Sequence, residues 1–243
     1  MLLLKQHAFK AHWFETGTPP FLVALLKQQP GISVMDIEQK WVREDMFSTY
    51  EIENLDPMAL LFQTGYLTIR TYNAQDRLYQ LGFPNFEVKD SLMYAMLTGF
   101  SEQVPTMAGS SLEDLLMAIR RDDLHAFFDT LKIFFANVPY TIQLKNENYY
   151  QTIFYLIFTL MGLRIQVEVT TNRGRIDAVV ETNDVIYVFE FKLTGTAEEA
   201  LAQIQEKGYA EKYRDGKKKI RIFGVSFDPT ERNVGRWVEQ LQR

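Results

Sequence analysis

The run Val185-Ile186-Tyr187-Val188-Phe189-Glu190-Phe191-Lys192-Leu193 constrains this chain more than any other segment. It is rich in β-branched and aromatic residues and follows the turn residues Asn183-Asp184, so it reads as a buried strand. Glu190 and Lys192 stand two positions apart, and at strand spacing their side chains leave the same face. Phe189 and Phe191 take the other. Taking a lone carboxylate out of water is costly, so a glutamate and a lysine inside such a strand require partners. One hairpin earlier, Asp177 interrupts the apolar stretch Arg175-Ile176-Asp177-Ala178-Val179-Val180. Two carboxylates brought together this way repel unless a cation lies between them, which is the electrostatic pattern of a metal site.

The surrounding pattern gives these strands their context. Glu147 to Met161 is an aromatic, apolar helix ended by Gly162, and Arg164 to Val169 alternates as a strand. Thr171-Asn172-Arg173-Gly174 is a turn, Arg175 to Glu181 the second strand and Val185 to Leu193 the third. Thr196 to Tyr213 reads as a helix with Ala200, Ala202, Ile204 and Tyr209 apolar, Lys219 to Ser226 as a fourth strand, and Asn233 to Leu241 as a closing helix. The order α-β-β-β-α-β-α predicts a mixed sheet with helices on both faces.

Arg-Ile-Asp177 on one strand, Glu190-Phe-Lys192 on the next and Gln203 in the following helix together resemble the PD-(D/E)XK nuclease superfamily. Glu147 fits the additional acidic position of many members, and Ile176 stands where the motif's proline would be. The resemblance implies a restriction-endonuclease-like α-β-β-β-α-β core and a hydrolase acting on DNA phosphodiesters with Mg2+ or Mn2+. It implies Asp177, Glu190, the Phe191 carbonyl and Glu147 as metal ligands, Lys192 orienting or activating the attacking water, and Gln203 bonding Lys192 or substrate. Arg173 and Arg175 flank the metal strand and are candidates for nucleic-acid contact. The alternative is a non-catalytic module that keeps the nuclease fold to bind nucleic acid or a protein.

Composition narrows the chemistry further. Among 243 residues there is no cysteine and only three histidines, His7, His12 and His125. That removes thiolate zinc sites, iron–sulfur clusters, disulfide scaffolds and a cysteine nucleophile, and leaves carboxylates to hold a hard ion. Residues 1–139 carry 11 Lys/Arg against 17 Asp/Glu, and residues 140–243 carry 15 against 14. A net charge of −5 argues against coating nucleic acid by bulk electrostatics, while permitting a local basic groove. The start MLLLKQHAFK lacks the pattern of a signal peptide, and the longest apolar stretch, Ile153–Leu163, is short for a membrane span. A cytoplasmic protein without membrane partners is the expectation. The run Lys217-Lys218-Lys219 with Arg221 reads as a solvated loop, and the aromatics Tyr149, Tyr150, Phe154, Tyr155 and Phe158 as core.

The front half reads as helix, helix, hairpin, the order of a winged-helix module. Thr18-Pro19-Pro20 starts a helix through Lys27 that Pro30-Gly31 stops, and Asp56-Pro57 starts a second that runs through Phe62 towards Gly65. Tyr66–Arg70 and Arg77–Leu81 alternate around a turn at Asn73–Asp76. After Gly82-Phe83-Pro84-Asn85 come a helix from Val88 to Phe100 and two more with a break at Arg121-Asp122-Asp123, the first capped at Ser111. Expected divisions are 1–86 winged-helix-like, 87–139 helical connector and 140–243 nuclease-like. Trp13 to Leu22 and Leu60 to Ile69 resemble the segment that closes the ATPase domain of a bacterial family joining an AAA-ATPase-like domain to a C-terminal PD-(D/E)XK domain. No G-x-x-x-x-G-K-[ST] sequence is present, so this chain alone is not expected to hydrolyse ATP. DNA, an ATPase chain or another copy of the protein are the expected partners.

Overall fold

The structure, a computed structural model, describes residues 20–28, 37, 40–48, 56–139, 147–171, 174–214 and 216–242. The chain divides into two compact units, Met1–Phe100 and Ser101–Arg243. The expected cap at Thr18, the stop at Pro30-Gly31, His7, His12 and most of Trp13–Leu22 lie outside the described residues.

In the first unit, α1 (Pro20–Gln28) is followed by the short strand β1 (Trp41–Val42), α2 (Pro57–Gln63), the hairpin β2 (Thr68–Asn73) and β3 (Leu78–Gly82), and α3 (Phe86–Ser101). Asp56 Oδ1 accepts the Met58 N–H at 2.7 Å and Pro57 occupies the first turn, so α2 begins where the Asp-Pro pair places it. Past its end Gly65 takes φ +82°, a left-handed conformation that favours glycine. The hairpin gains β1 along β3, giving the antiparallel order β1-β3-β2.

The second unit opens with α4 (Pro105–Arg120) and α5 (Leu124–Ala136). Helix α4 starts at Pro105 rather than at Ser111: proline at the first helical position sets the start, and Ser111 lies inside the helix. The break expected at Arg121–Asp123 is present, and Asp123 Oδ1 caps α5 by accepting the Ala126 N–H at 3.0 Å. Then come α6 (Glu147–Leu160), β4 (Arg164–Thr171), β5 (Gly174–Glu181), β6 (Val185–Lys192), α7 (Ala197–Lys207), β7 (Lys219–Asp228) and β8 (Asn233–Gln242). The sheet order is β4-β5-β6-β7-β8, with β6 and β7 parallel and the other neighbours antiparallel. This mixed α/β architecture is consistent with a restriction-endonuclease-like PD-(D/E)XK fold.

Two expected helices are corrected. The α-helix after Thr196 stops at Lys207 because Gly208 adopts φ +61°, and Tyr209–Tyr213 continues as a 3₁₀ turn. Residues 233–242 form the edge strand β8, not a helix. A bulge between Val225 and Phe227 shifts the β7–β8 register, so Val234 opposes Phe227 while Trp237 opposes Val225. Side chains three apart thus share one face, and the sequence shows a spacing that imitates a helix.

Strand β6 is buried from Val185 through Phe191 because both faces of the sheet are covered. On one face α7 and the Tyr209 turn seal Ile176, Val179, Ile186, Val188, Ile220 and Ile222. On the other, α5 and α6 build an aromatic layer: Phe128 stacks on Trp237 at 4.6 Å, Phe154 meets Phe191 at 4.7 Å and Tyr150 stacks on Phe227 at 4.1 Å. Two helices expected in the 87–139 connector therefore belong to the same compact unit as the sheet.

Candidate metal centre on the central sheet

The antiparallel ladder between β5 and β6 ends at Ala178 and Phe189. One step further the register would set Asp177 opposite Glu190, but the main chains no longer pair there. Instead Asp177 Oδ2 accepts the backbone N–H of Phe191 at 2.8 Å. The carboxylate thus replaces a ladder partner and holds the fork between the two strands. In an antiparallel pair the N–H and C=O of a residue share one edge, so the Phe191 carbonyl leaves β6 towards this fork.

Glu190 is 2% exposed. Its Oε1 accepts from Gln203 Nε2, while Gln203 Oε1 accepts from Lys192 Nζ at 2.6 Å. Lys192 Nζ stands 3.9 Å from Glu190 Oε1. The amide of Gln203 therefore bridges carboxylate and ammonium with a donor towards one and an acceptor towards the other. Lys192 keeps 27% of its side chain exposed, so the charge pair is buried at its acidic end and solvated at its basic end.

Local sequence explains why α7 reaches this point. Thr196 and Glu199 form a reciprocal capping box: Thr196 N–H donates to Glu199 Oε2 at 2.8 Å, and Glu199 N–H to Thr196 Oγ1 at 3.1 Å. Gly224 lies beside Glu190 in the parallel register, and a Cβ there would overlap the Ala197 carbonyl oxygen and the Leu201 nitrogen. Only glycine lets the helix approach closely enough for Gln203 to meet Glu190 and Lys192.

The structure links Asp177 to Phe191 and Gln203 to both Glu190 and Lys192. Glu147 begins α6, but its side chain is outside the described residues, as is Arg173. Arg175 is 61% exposed and pairs with Glu168 at 3.2 Å. Glu168 is a residue the sequence did not single out: it has φ +51°, and the β4–β5 ladder skips it and Asp177 between the pairs Val167–Ala178 and Val169–Ile176. A positive φ inside a strand costs about 1–2 kcal/mol for a side-chain-bearing residue, and no sequence signal marks it. Gly224 was legible in principle, because a glycine inside an apolar strand points to close backbone approach. Among the described residues no cluster of three or more His, Asp or Glu side chains gathers. Two carboxylates with a main-chain carbonyl are nevertheless hard oxygen donors that suit Mg2+, which retains several waters and uses one or two carboxylates.

Residues 145–237 match the family described as the PD-(D/E)XK nuclease superfamily, and a domain of that superfamily occupies this stretch. A protein of Azotobacter chroococcum mcd 1, described as an uncharacterized protein in the vnfD 5′ region, is 38% identical over 254 residues, covering 99% of this chain and 48% of that protein. The chain spans about half the length of that curated relative. No solved structure matches the chain significantly. Among the described residues no helix is long and apolar enough to cross a membrane.

Proposed function

We propose that the second unit hydrolyses DNA phosphodiesters with a divalent metal, Mg2+ or Mn2+. The observation that carries this reading is the buried Glu190, joined through Gln203 to Lys192 beside Asp177, in a domain of nuclease type. Asp177, Glu190 and the Phe191 carbonyl would hold the ion, with Glu147 as a further acidic ligand. When bound, the ion supplies a lowered water pKa and neutralises phosphate charge.

The protein's own groups do the rest. Gln203 fixes the Glu190 carboxylate in one orientation and holds the Lys192 ammonium in reach of it. Lys192, with its solvated end facing outward, orients the attacking water and stabilises charge that develops on the phosphoryl oxygens. Arg175, with Arg173, would meet flanking phosphates, Glu168 steadying the Arg175 guanidinium. Residues 1–86 enter this reading as the lid-like end of an ATPase domain, its phosphate cradle supplied by a separate ATPase chain, in a cytoplasmic protein.

A second reading keeps the fold as a binding module without chemistry. The set of only two gathered carboxylates among the described residues favours it. Calorimetric titration of Mg2+ and Mn2+ into wild type, Asp177→Ala and Lys192→Ala, with supercoiled plasmid assayed alongside, separates the two. Hydrolysis requires wild-type binding with nicking, loss of both in Asp177→Ala, and loss of nicking alone in Lys192→Ala. No metal binding at millimolar concentration, or equal loss of binding in both variants, would sink the nuclease reading.

A further inference from the structure

A cleft of about 700 Å³ opens at the end of the sheet remote from Glu190. Its walls are the C-terminus of α4, the Gly162–Arg164 segment, the Thr182–Val185 turn and the start of β7. Tyr187 lines it from the α5–α6 face of β6, whereas Glu190 leaves the opposite face three residues later. The two sites are therefore separate in end and in face.

The cleft absorbs the lysine run that the nuclease reading leaves unused. Lys218 and Lys219 line it together with Arg120 and Arg164. Arg164 and Lys218 share one carboxylate, Glu181, at 3.3 and 2.7 Å, which leaves positive charge over. Lys218 Nζ also donates to the Thr182 carbonyl at 2.7 Å, so its ammonium is fixed in the wall. Of the other acids, Asp122 is engaged by Arg221 and by the Tyr187 hydroxyl at 3.0 Å. Asp184 is the remaining acid of the lining, and Arg120 and Lys219 make no ion pair among the described residues. The Met117, Ala118 and Ile119 carbonyls of α4 accept from the N–H groups of Arg121, Asp122 and Asp123, so these three are occupied.

We propose that this cleft binds a phosphate monoester, presented by a free mononucleotide or by the 5′-phosphorylated end of a DNA strand. A carboxylate is matched by one arginine, whereas a phosphate monoester carries nearly two charges and accepts from several donors at once, and Arg120, Arg164, Lys218 and Lys219 line the cleft against three carboxylates. The volume lies within the usual range for small-ligand sites, about 300–1,000 Å³, and holds one nucleotide with room for its neighbour.

The full-length protein is titrated in a chelator with AMP, with a 5′-phosphorylated trinucleotide and with the same trinucleotide lacking the phosphate. Chelation removes metal-mediated phosphate binding at Glu190, so this result stands or falls apart from the nuclease reading. Wild type and Glu190→Gln should bind the phosphorylated probes alike, and Arg120→Glu and Lys219→Glu should each weaken them about tenfold or more. Both substituted residues are exposed, and circular dichroism verifies that the fold is retained. AMP alone binding identifies a free nucleotide as the source, and binding of the phosphorylated trinucleotide as well identifies a strand end. Three results overturn the proposal: no binding of any phosphorylated probe at millimolar concentration, binding indifferent to Arg120→Glu and Lys219→Glu, or binding that needs metal and disappears in Glu190→Gln.

Discussion

Glu190 is buried to 2% exposure while Lys192, 3.9 Å away, keeps about a quarter of its side chain in solvent. The two substitutions that break this pair are therefore unequal. Glu190→Gln removes a buried charge, preserves the acceptor for Gln203 and leaves a lysine that water can serve. Unfolding in urea should show stability unchanged or raised by up to about 1 kcal/mol, with metal binding lost. Lys192→Met instead strands the buried carboxylate and should destabilise by about 2–3 kcal/mol. Mg2+ should restore much of that loss, because a bound cation supplies the missing charge and stabilises the native state by mass action. Equal destabilisation by the two variants would mean that burial does not govern the pair.

At the scale of elements, the site depends on how closely α7 lies on β7. Gly224→Ala pushes a methyl group into the helix backbone at Ala197 and Leu201, so α7 must shift as a body. The expected cost is about 1–3 kcal/mol, with loss of the Gln203 bridge and of metal-dependent activity. Thr196→Ala removes half of the capping box and should cost about 1 kcal/mol while the helix stays in place and activity survives. Denaturation and activity measured on both variants separate helix position from helix stability. The same elements explain what the sequence discloses. Gln203 comes only with the resemblance to the nuclease superfamily, whereas Asp177, Glu190 and Lys192 could be read because strand alternation is a local rule. The closing strand could not, because a bulge at Ser226 puts Val234 and Trp237 on one face and only the pairing partner reveals it. The position of Glu168, with its left-handed backbone opposite Asp177, likewise depends on a neighbouring strand. The start of α4 differs from expectation for another reason: Ser111-Leu112-Glu113-Asp114 is a good local cap, but Pro105 offers an earlier start and the helix continues through.

Across the second unit, charge and packing act at opposite places. Glu181 lies between Lys218 and Arg164, and the hydrogen bond from Lys218 holds its carboxyl below the ordinary range, opposed by burial and assisted by both positive charges. A carboxyl whose folded-state pKa is depressed contributes stability above its unfolded pKa and loses it as pH falls through the folded value. Glu181→Gln should therefore flatten the acid limb of the stability profile below about pH 4.5, with little change near neutrality, by an amount kept small by solvent screening. The aromatic layer carries far more. Phe128 stacks on Trp237 and contacts Phe223, Phe135 meets Phe227, and Phe127 stacks on Phe158, so α5 covers a sheet face that would otherwise be exposed. Leu131, Phe134 and Phe135 are buried with it, and Gln103 Nε2 donates to the Phe134 carbonyl at 2.7 Å from the segment that precedes α4. A fragment of residues 102–243 should accordingly unfold in one cooperative transition and bind metal as the full chain does. A fragment of residues 140–243 retains every catalytic candidate, yet it exposes Phe223, Phe227 and Trp237 to water. Each large aromatic face uncovered forfeits about 1.5–3 kcal/mol, several times over, against a domain stability of only about 5–15 kcal/mol. That shorter fragment should aggregate or bind a hydrophobic dye without a cooperative transition. If it folds and binds metal as well as residues 102–243, then α4 and α5 are a dispensable connector and the sheet's second face is closed by α6 alone.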